Sequence, residues 1–101
     1  MESEHKRRDR LYILAEILNI AKDGSLKTQI MYKANLSFAQ LNEYLAFLIR
    51  IDLLKIHTEV RRKVYKTTAK GEKYLDNYEE ILSLLRSNER KQVKANLTAL
   101  R

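Results

Sequence analysis

The sequence predicts a mainly α-helical fold with one small β-hairpin, and three observations support this prediction. Residues 27–51 contain two short helical patterns separated by a turn. From Leu54 to Val60, less polar and more polar residues alternate, as they do in a half-buried strand. Residues 68–100 contain no proline or other strong helix breaker. We therefore expect three helices, a hairpin and a long last helix, in that order.

Length and composition limit the class of protein. A chain of 101 residues can build one modest hydrophobic core. It contains no cysteine, which excludes disulfides and thiolate metal sites. The charged N-terminus differs from a secretory signal, and no apolar run approaches the roughly 20 residues that span a bilayer. We therefore expect a cytoplasmic protein with no membrane partner.

The helices of the first half follow from apolar spacing. The first is predicted over residues 6–23, and Gly24 is suited to end it because glycine readily adopts a positive φ. Residues 25–27 are too few to assign and suit a brief extended segment. A short second helix is predicted over residues 28–34, and a third over residues 38–51.

The third helix begins with several helix-start signals. Ser37 can cap it, and Gln40 can return a hydrogen bond to the N–H of the cap. Leu36 and Leu41 are spaced to pack together as a hydrophobic staple. Asn35 tolerates the left-handed conformation that a helix exit often needs. A helix, a tight turn and a second helix form the arrangement that places a helix in the major groove of DNA.

A basic hairpin is predicted after these helices. Its strands cover residues 54–60 and 63–67, and the tip contains Arg61 and Arg62. The tip lacks the usual glycine or asparagine, so the position of the turn is left open by a residue or two. Three helices followed by a hairpin form a winged helix, which we assign to residues 1–67.

The last helix is predicted from a cap at Thr68 to about residue 100, a length of nearly 50 Å at about 1.5 Å per residue. Gly71 falls in its first turn, where we expect its cost to be small. Residues 68–101 are assigned to dimerisation because the apolar positions follow the spacing of a coiled-coil seam, with a polar interruption over residues 87–92. The seam residues are Leu75, Tyr78, Leu82, Leu85, Val93 and Leu97.

The charge of the last helix favours an antiparallel partner. Residues 71–85 hold four acidic residues and one basic residue, and residues 86–101 hold five basic residues and one acidic residue. An antiparallel pair would set each half beside its complement. We therefore expect an antiparallel coiled-coil homodimer, and the alternative is a helix frayed beyond about Leu85.

Most of the net positive charge lies in the middle of the chain. The formal net charge is +7, and residues 25–70 hold nine basic and three acidic residues. Neutralising phosphates requires basic groups gathered on one face, so the segment with the helix-turn-helix and the hairpin is expected to bind double-stranded DNA.

Candidate base-reading residues lie in the first turns of the third helix, as is usual for a recognition helix. Gln40 and Asn42 could pair with adenine, although Gln40 could instead serve the capping box. Glu43 could accept from cytosine or form an ion pair with a lysine. Phe38 could contact a thymine methyl or pack under the turn, and Ser37 lies beside it.

Candidate phosphate-contacting residues surround this helix. The wing tip is expected to reach a neighbouring minor groove or its phosphates, the alternative being a solvated charged loop. The tip residues are Arg61, Arg62 and Lys63, and the further phosphate contacts are Lys27, Lys33 and Arg50.

Two segments resemble a known family. Residues 27–38, KTQIMYKANLSF, and residues 65–71, YKTTAKG, are similar to the helix-turn-helix signature and the strand-to-helix junction of the archaeal 10a family of small basic winged-helix DNA-binding proteins. Thr67 stands where that junction usually has an apolar residue. The resemblance implies a winged helix-turn-helix that dimerises through a long antiparallel coiled coil and binds double-stranded DNA, as a nucleoid protein or a local regulator.

The leading hypothesis is therefore a homodimeric duplex-DNA binder, associated with the nucleoid, that acts as a transcription regulator or organises DNA. The alternative is a winged-helix adaptor for protein partners that docks through Phe47 and the polar face of the third helix. An enzyme is not expected, because there is no nucleophile–base arrangement or glycine-rich phosphate loop, and the histidines have no carboxylate at metal spacing. No cofactor or small-molecule substrate is evident.

Overall fold

The structure is a computed structural model that describes the backbone of residues 9–99 and the side chains of residues 9–87. Its order of elements confirms the predicted helices, hairpin and long last helix. None of the helices in the described part of the chain carries an apolar stretch long enough to span a bilayer. The elements are α1 (Arg10–Ile20), α2 (Lys27–Ala34), α3 (Phe38–Arg50), β1 (Leu54–Glu59), β2 (Arg62–Thr67) and α4 (Ala69–Ala99).

Helix α1 is shorter than predicted. It begins after Asp9, whose carboxylate accepts a hydrogen bond from the Tyr12 N–H at 2.9 Å, and residues 6–8 lie outside the described part. It ends at Ile20 because the next carbonyl, that of Ala21, accepts from the N–H groups of Thr67 and Gly24 instead of continuing the helix. Gly24 has φ +100°, as expected for the residue that redirects the chain.

The turn between α2 and α3 has the predicted cap geometry. Asn35 is left-handed, with φ 55° and ψ 53°. The Ser37 hydroxyl accepts from the Gln40 N–H at 3.1 Å, and the Gln40 carbonyl oxygen accepts from the Ser37 N–H at 2.9 Å. Leu36 and Leu41 are both buried, as a hydrophobic staple requires. The capping box is therefore confirmed, and it fixes the start of α3.

The wing is an antiparallel hairpin whose turn lies one residue earlier than the predicted tip. Glu59 pairs with Arg62, so only Val60 and Arg61 form the turn. Their φ values are 41° and 66°, as in the two-residue turns that match the twist of a hairpin. The prediction that Arg62 belongs to the tip is corrected, because Arg62 is the first residue of β2.

The segment before α2 is the brief extended segment that was predicted. Ser25 and Tyr65 form an isolated antiparallel bridge of two backbone hydrogen bonds. The Ser25 N–H donates to the Tyr65 carbonyl at 2.9 Å, and the Tyr65 N–H donates to the Ser25 carbonyl at 2.8 Å. This bridge joins the α1–α2 loop to the wing. The hairpin therefore has a fixed position relative to the helices that precede it.

The core is formed by α1, α2, α3 and the inner side of the hairpin. Thr67 is one of two buried polar residues in the described part of the chain, only 3% exposed. Its hydroxyl donates to the Leu18 carbonyl at 2.6 Å, near the end of α1, where carbonyls lack helical partners. The departure from the apolar residue of the 10a junction is therefore accommodated by a satisfied hydrogen bond. The side chains that are fully buried are Ile17, Leu18, Ile30, Leu41, Leu48 and Leu54.

Helix α4 begins in close contact with the rest of the domain. The Thr68 hydroxyl accepts from the Gly71 N–H at 3.0 Å and donates to the Asp52 carbonyl at 2.7 Å, so the predicted cap is confirmed. A Cβ at Gly71 would clash with the Leu53 carbonyl and lie 2.6 Å from the Thr67 side chain. Packing therefore requires this glycine, which sequence reasoning treated only as tolerated.

Further along α4, core packing gives way to exposed apolar residues. Leu75 is buried among the core residues, and the Tyr74 hydroxyl donates to the Leu11 carbonyl at 2.9 Å. The assignment of Leu75 to a dimer seam is revised, because its side chain is used within its own chain. Tyr78 and Leu82 are half-buried, whereas Leu85 is 54% exposed. The side chains of the other two predicted seam residues, Val93 and Leu97, lie outside the described residues.

Candidate nucleic-acid interface

The starts of α2 and α3 form one exposed surface. The Phe38 side chain is 60% exposed, and the Lys27 ammonium lies 4.4 Å from the centre of its ring. Phe38 therefore does not pack under the turn, which was the alternative role for it. A cation held over an exposed ring at the first turn of α3 gives this surface both positive charge and an apolar contact.

The capping box limits what Ser37 and Gln40 can offer a ligand. The Ser37 hydroxyl and the Gln40 carbonyl oxygen are both engaged in the cap. Bidentate pairing with adenine uses both the oxygen and the nitrogen of an amide. While the box is closed, Gln40 can offer only its amide nitrogen. Asn42, which is half-buried on the same helix, is the amide left for such pairing.

Glu43 lies exposed on α3 beside this surface. It forms no ion pair with a residue that the structure describes, so the lysine partner considered as an alternative is not found there. Lys33 and Tyr32 are exposed at the end of α2. Tyr32 is 79% exposed, and its hydroxyl could donate to a phosphate. In the sequence alone, Tyr32 suits the edge of the core as well as a phosphate contact, and its exposure in the fold favours the phosphate contact.

The far end of α3 holds a second cluster of charge and aromatic groups. The guanidinium of Arg10 lies 4.4 Å from the centre of the Phe47 ring, and that of Arg50 lies 5.5 Å from it. Phe47 is half-buried and packs against the core. Arg50 lies 12 residues after Phe38, about 18 Å along the helix. The structure therefore does not bring Arg50 together with the Lys27–Phe38 surface.

The wing carries exposed basic residues on its tip and along β2. Arg61 is at the apex, and Arg62, Lys63 and Lys66 are exposed on the strand that follows. Val60, beside Arg61, is 90% exposed. Sequence reasoning did not select Val60 or Lys66. An apolar residue at the turn was the signal that could have pointed to Val60.

A polar cleft of about 260 Å³ lies between the wing and the loop before α2. His57 and Glu59 line it and contact each other at 2.9 Å. Arg62 and Lys66 line the same cleft. Within the part of the chain that the structure describes, no group of three acidic or histidine side chains is arranged to hold a metal ion.

Comparisons with known proteins agree with this architecture. A family model described as winged helix-turn-helix matches residues 7–86. The uncharacterised proteins MJ0287 and MJ0290 of Methanocaldococcus jannaschii are 33% and 36% identical to the chain over 92 and 80 residues. These matches cover 84% and 78% of this chain. The chain spans 91% of MJ0287 but only 36% of MJ0290.

Solved structures show the same fold. Sso10a-2, a DNA-binding protein from Sulfolobus solfataricus, is 28% identical, with a TM-score of 0.74 over 93% of this chain and 98% of that one. MepR, a transcription regulator from Staphylococcus aureus, is 20% identical with a TM-score of 0.68, over 98% of this chain and 83% of that one, and shows likeness of fold alone. The resemblance to the archaeal 10a proteins is thus confirmed. The winged helix-turn-helix family model covers most of this chain, and the chain therefore belongs to that family.

Proposed function

We propose that this protein binds double-stranded DNA as a homodimer and acts as a transcription regulator or an organiser of the nucleoid. The observation that carries this proposal is the exposed Lys27–Phe38 surface at the start of α3, within a segment that holds nine basic and three acidic residues. The similarity to Sso10a-2, a DNA-binding protein, supports it. We propose no catalytic role and no cofactor.

Helix α3 is suited to lie in the major groove. Its inner face is buried through Leu41, Leu45 and Leu48, so its first turns present the opposite face outward. Phe38 can contact a thymine methyl there, and Lys27 can neutralise a phosphate. Glu43 would oppose phosphates but can accept a hydrogen bond from cytosine. In this proposal α3 reads the bases and the wing adds affinity.

The wing would bind the neighbouring backbone or minor groove. Arg61 projects from a two-residue turn, and Arg62 and Lys63 follow on β2. The Ser25–Tyr65 bridge holds the hairpin against the loop that leads into α2. Because the wing is anchored in this way, its arginines can approach DNA without the ordering cost of a free loop.

The second copy would pair through α4. Ile81, Leu84 and Leu85 are each more than half exposed, which is unusual for large apolar side chains on one helix. The acidic first half and basic second half of α4 favour an antiparallel pair. Two winged units held by one rod could contact two half-sites or two DNA segments.

The rival proposal, an adaptor for protein partners, loses its main docking residue. Phe47 packs against the core and lies beside the guanidinium groups of Arg10 and Arg50. Its ring is therefore not a free apolar anchor.

The test is duplex binding measured by fluorescence anisotropy over a series of salt concentrations. Arg61→Ala/Arg62→Ala is expected to weaken binding at least about tenfold and to reduce the salt slope by about 0.9 for each phosphate that the variant no longer neutralises. Lys73→Ala/Arg86→Ala is the matched control, because it removes two exposed positive charges from α4 instead. Equal affinities and slopes in the two variants would exclude the wing from the interface. No duplex binding by the wild type at low salt would exclude the proposed function.

A further inference from the structure

The tip of the wing carries an apolar side chain to which the proposed interface gives no role. Val60 is 90% exposed, more than any other large apolar residue in the described part of the chain. Single exposed apolar residues are common and need no explanation of their own. The backbone of Val60 is less ordinary, because its φ of 41° is left-handed and its side chain is branched at Cβ. Folding alone does not favour a residue that is both exposed and strained.

The strain at Val60 is specific to its residue type. Asn35 and Asp52 also have positive φ values, but asparagine and aspartate tolerate this conformation. Asparagine or glycine is the usual choice in a two-residue hairpin turn, and valine is not. Strained residues are concentrated at functional sites, where the surrounding structure holds them in place. The strain therefore points to a contact that Val60 makes outside its own chain.

The hairpin presents Val60 on a narrow projection of fixed position. Ser25 anchors the hairpin at Tyr65, which pairs with Ile56, and three further residue pairs separate this level from the turn. At about 3.3 Å per residue, the turn stands about 10 Å beyond its anchor. This exceeds the depth of the minor groove of DNA, about 7.5 Å, but two paired strands with their side chains are broader than its width of about 6 Å. Only the two turn residues can therefore enter that groove.

The charges around Val60 suit a polyanion. Arg61 follows it in the turn, and Lys63 is exposed on β2. Glu59 is the acidic neighbour, but its carboxylate contacts the His57 ring at 2.9 Å, and His57 lies on β1 away from the tip. One apolar side chain among charged residues is too small for the apolar core of a protein interface. DNA is the partner that this tip favours.

We propose that Val60 is an apolar wedge that enters the minor groove of duplex DNA at a pyrimidine–purine step. This inference rests on the proposed function, and it adds the groove and the kind of base step that the wing selects. An apolar wedge between two base pairs partly unstacks them and bends the duplex. Pyrimidine–purine steps unstack most easily, so they are the steps that receive the wedge.

The 2-amino group of guanine decides which of these steps are selected. It projects a hydrogen-bond donor into the minor groove of a G·C pair, whereas an A·T pair offers only acceptors there. A valine side chain packed over that donor would remove it from water without supplying a partner. The wedge therefore selects thymine–adenine steps over cytosine–guanine steps without making a hydrogen bond to a base.

Two duplexes that differ only in this amino group test the wedge. The probes are alternating cytosine–inosine and alternating cytosine–guanine duplexes of about 24 base pairs, long enough for two half-sites one helical turn apart. Inosine lacks the 2-amino group, so the two probes present the same major groove and different minor grooves. At low salt, the wild type should bind the cytosine–inosine duplex at least about fivefold more tightly, the usual effect of one unfavourable base pair. Energy transfer between dyes at the two ends of the duplex measures the bend.

Val60→Asn removes the wedge and relieves the strain. It should bind the two duplexes equally and bend the cytosine–inosine duplex less than the wild type does. The salt slope should not change, because no charge is lost. Val60→Ile keeps an apolar branched side chain and should retain both the preference and the bend. Ile56→Thr is the matched control, because it replaces a 41% exposed apolar residue of the same hairpin away from the tip.

The outcomes separate the wedge from the proposed function. If the wild type binds neither probe and no alternating thymine–adenine duplex, DNA binding and the wedge are both excluded. If it binds without preferring the cytosine–inosine duplex, the wedge is overturned and DNA binding stands. Retention of the preference and the bend by Val60→Asn would assign them to another residue and overturn the wedge. Their loss in Val60→Ile or in Ile56→Thr would show that the apolar tip is not their cause, with the same consequence.

Discussion

Thr67 joins the wing to the last helix and makes a buried hydrogen bond. A substitution by valine, which has nearly the same shape as threonine, removes this bond. The Thr67 hydroxyl donates to the Leu18 carbonyl at 2.6 Å, and the side chain is 3% exposed. Thr67→Val keeps the branched shape but leaves that carbonyl without its donor. An unsatisfied buried acceptor costs about 1–3 kcal/mol, and the added apolar burial offsets part of it. We therefore expect a loss of about 1–2 kcal/mol in the free energy of unfolding.

Urea unfolding followed by circular dichroism measures this loss, at one fixed protein concentration because dimerisation also contributes to stability. Such a loss corresponds to a fall in Tm of about 4–8 °C for each kcal/mol. Thr58→Val is the matched control, because Thr58 is exposed on β1 and should change stability by less than about 0.5 kcal/mol. If Thr67→Val were as stable as the control, the hydrogen bond would not stabilise this junction.

Three further substitutions test other parts of the fold. Gly71→Ala should lower the free energy of unfolding by about 1–3 kcal/mol in urea titrations, because the new Cβ would meet the Leu53 carbonyl, although alanine otherwise favours a helix; unchanged stability would contradict this close approach. Val60→Asn should raise the free energy of unfolding by about 1 kcal/mol, because asparagine tolerates the positive φ of 41° better than valine and the 90% exposed Val60 side chain loses no packing when replaced. A loss of stability would show that the turn is not strained. Burial raises the pKa of the Tyr74 hydroxyl in the folded state. The protonated hydroxyl therefore contributes its full stabilisation below the unfolded-state pKa of about 10, and this stabilisation is lost as the pH rises through the folded-state pKa. Tyr74→Phe should therefore lower stability at pH 7 and remove part of its fall above about pH 10, and an alkaline profile identical to that of the wild type would exclude this role.

Local signals in the sequence were sufficient to predict where α3 starts and how the chain turns into it. Ser37, Gln40 and Asn35 adopt the predicted cap geometry because their interactions involve residues at most four positions away. The hairpin was also predicted, but its turn was not, since Val60 and Arg61 are unusual residues for two positive φ values.

The features that were missed depend on contacts between distant residues. Thr67 bonds a carbonyl 49 positions earlier in the chain, and Gly71 is required by the carbonyl of Leu53. Phe47 was considered as a docking residue for a protein partner, but Arg10 lies over its ring from another helix. For the candidate site, the sequence predicted the basic residues, whereas the exposure of Phe38 and its contact with Lys27 required the fold.

In the proposed complex, the first turns of α3 and the wing contact duplex DNA. Amide chemical-shift mapping by NMR, during titration with a duplex at low salt, tests this contact residue by residue. The largest shifts are expected at residues 37–43 and 59–63, and they should reverse when salt is raised. Shifts confined to α4, or no shifts at any ratio of DNA to protein, would exclude this interface.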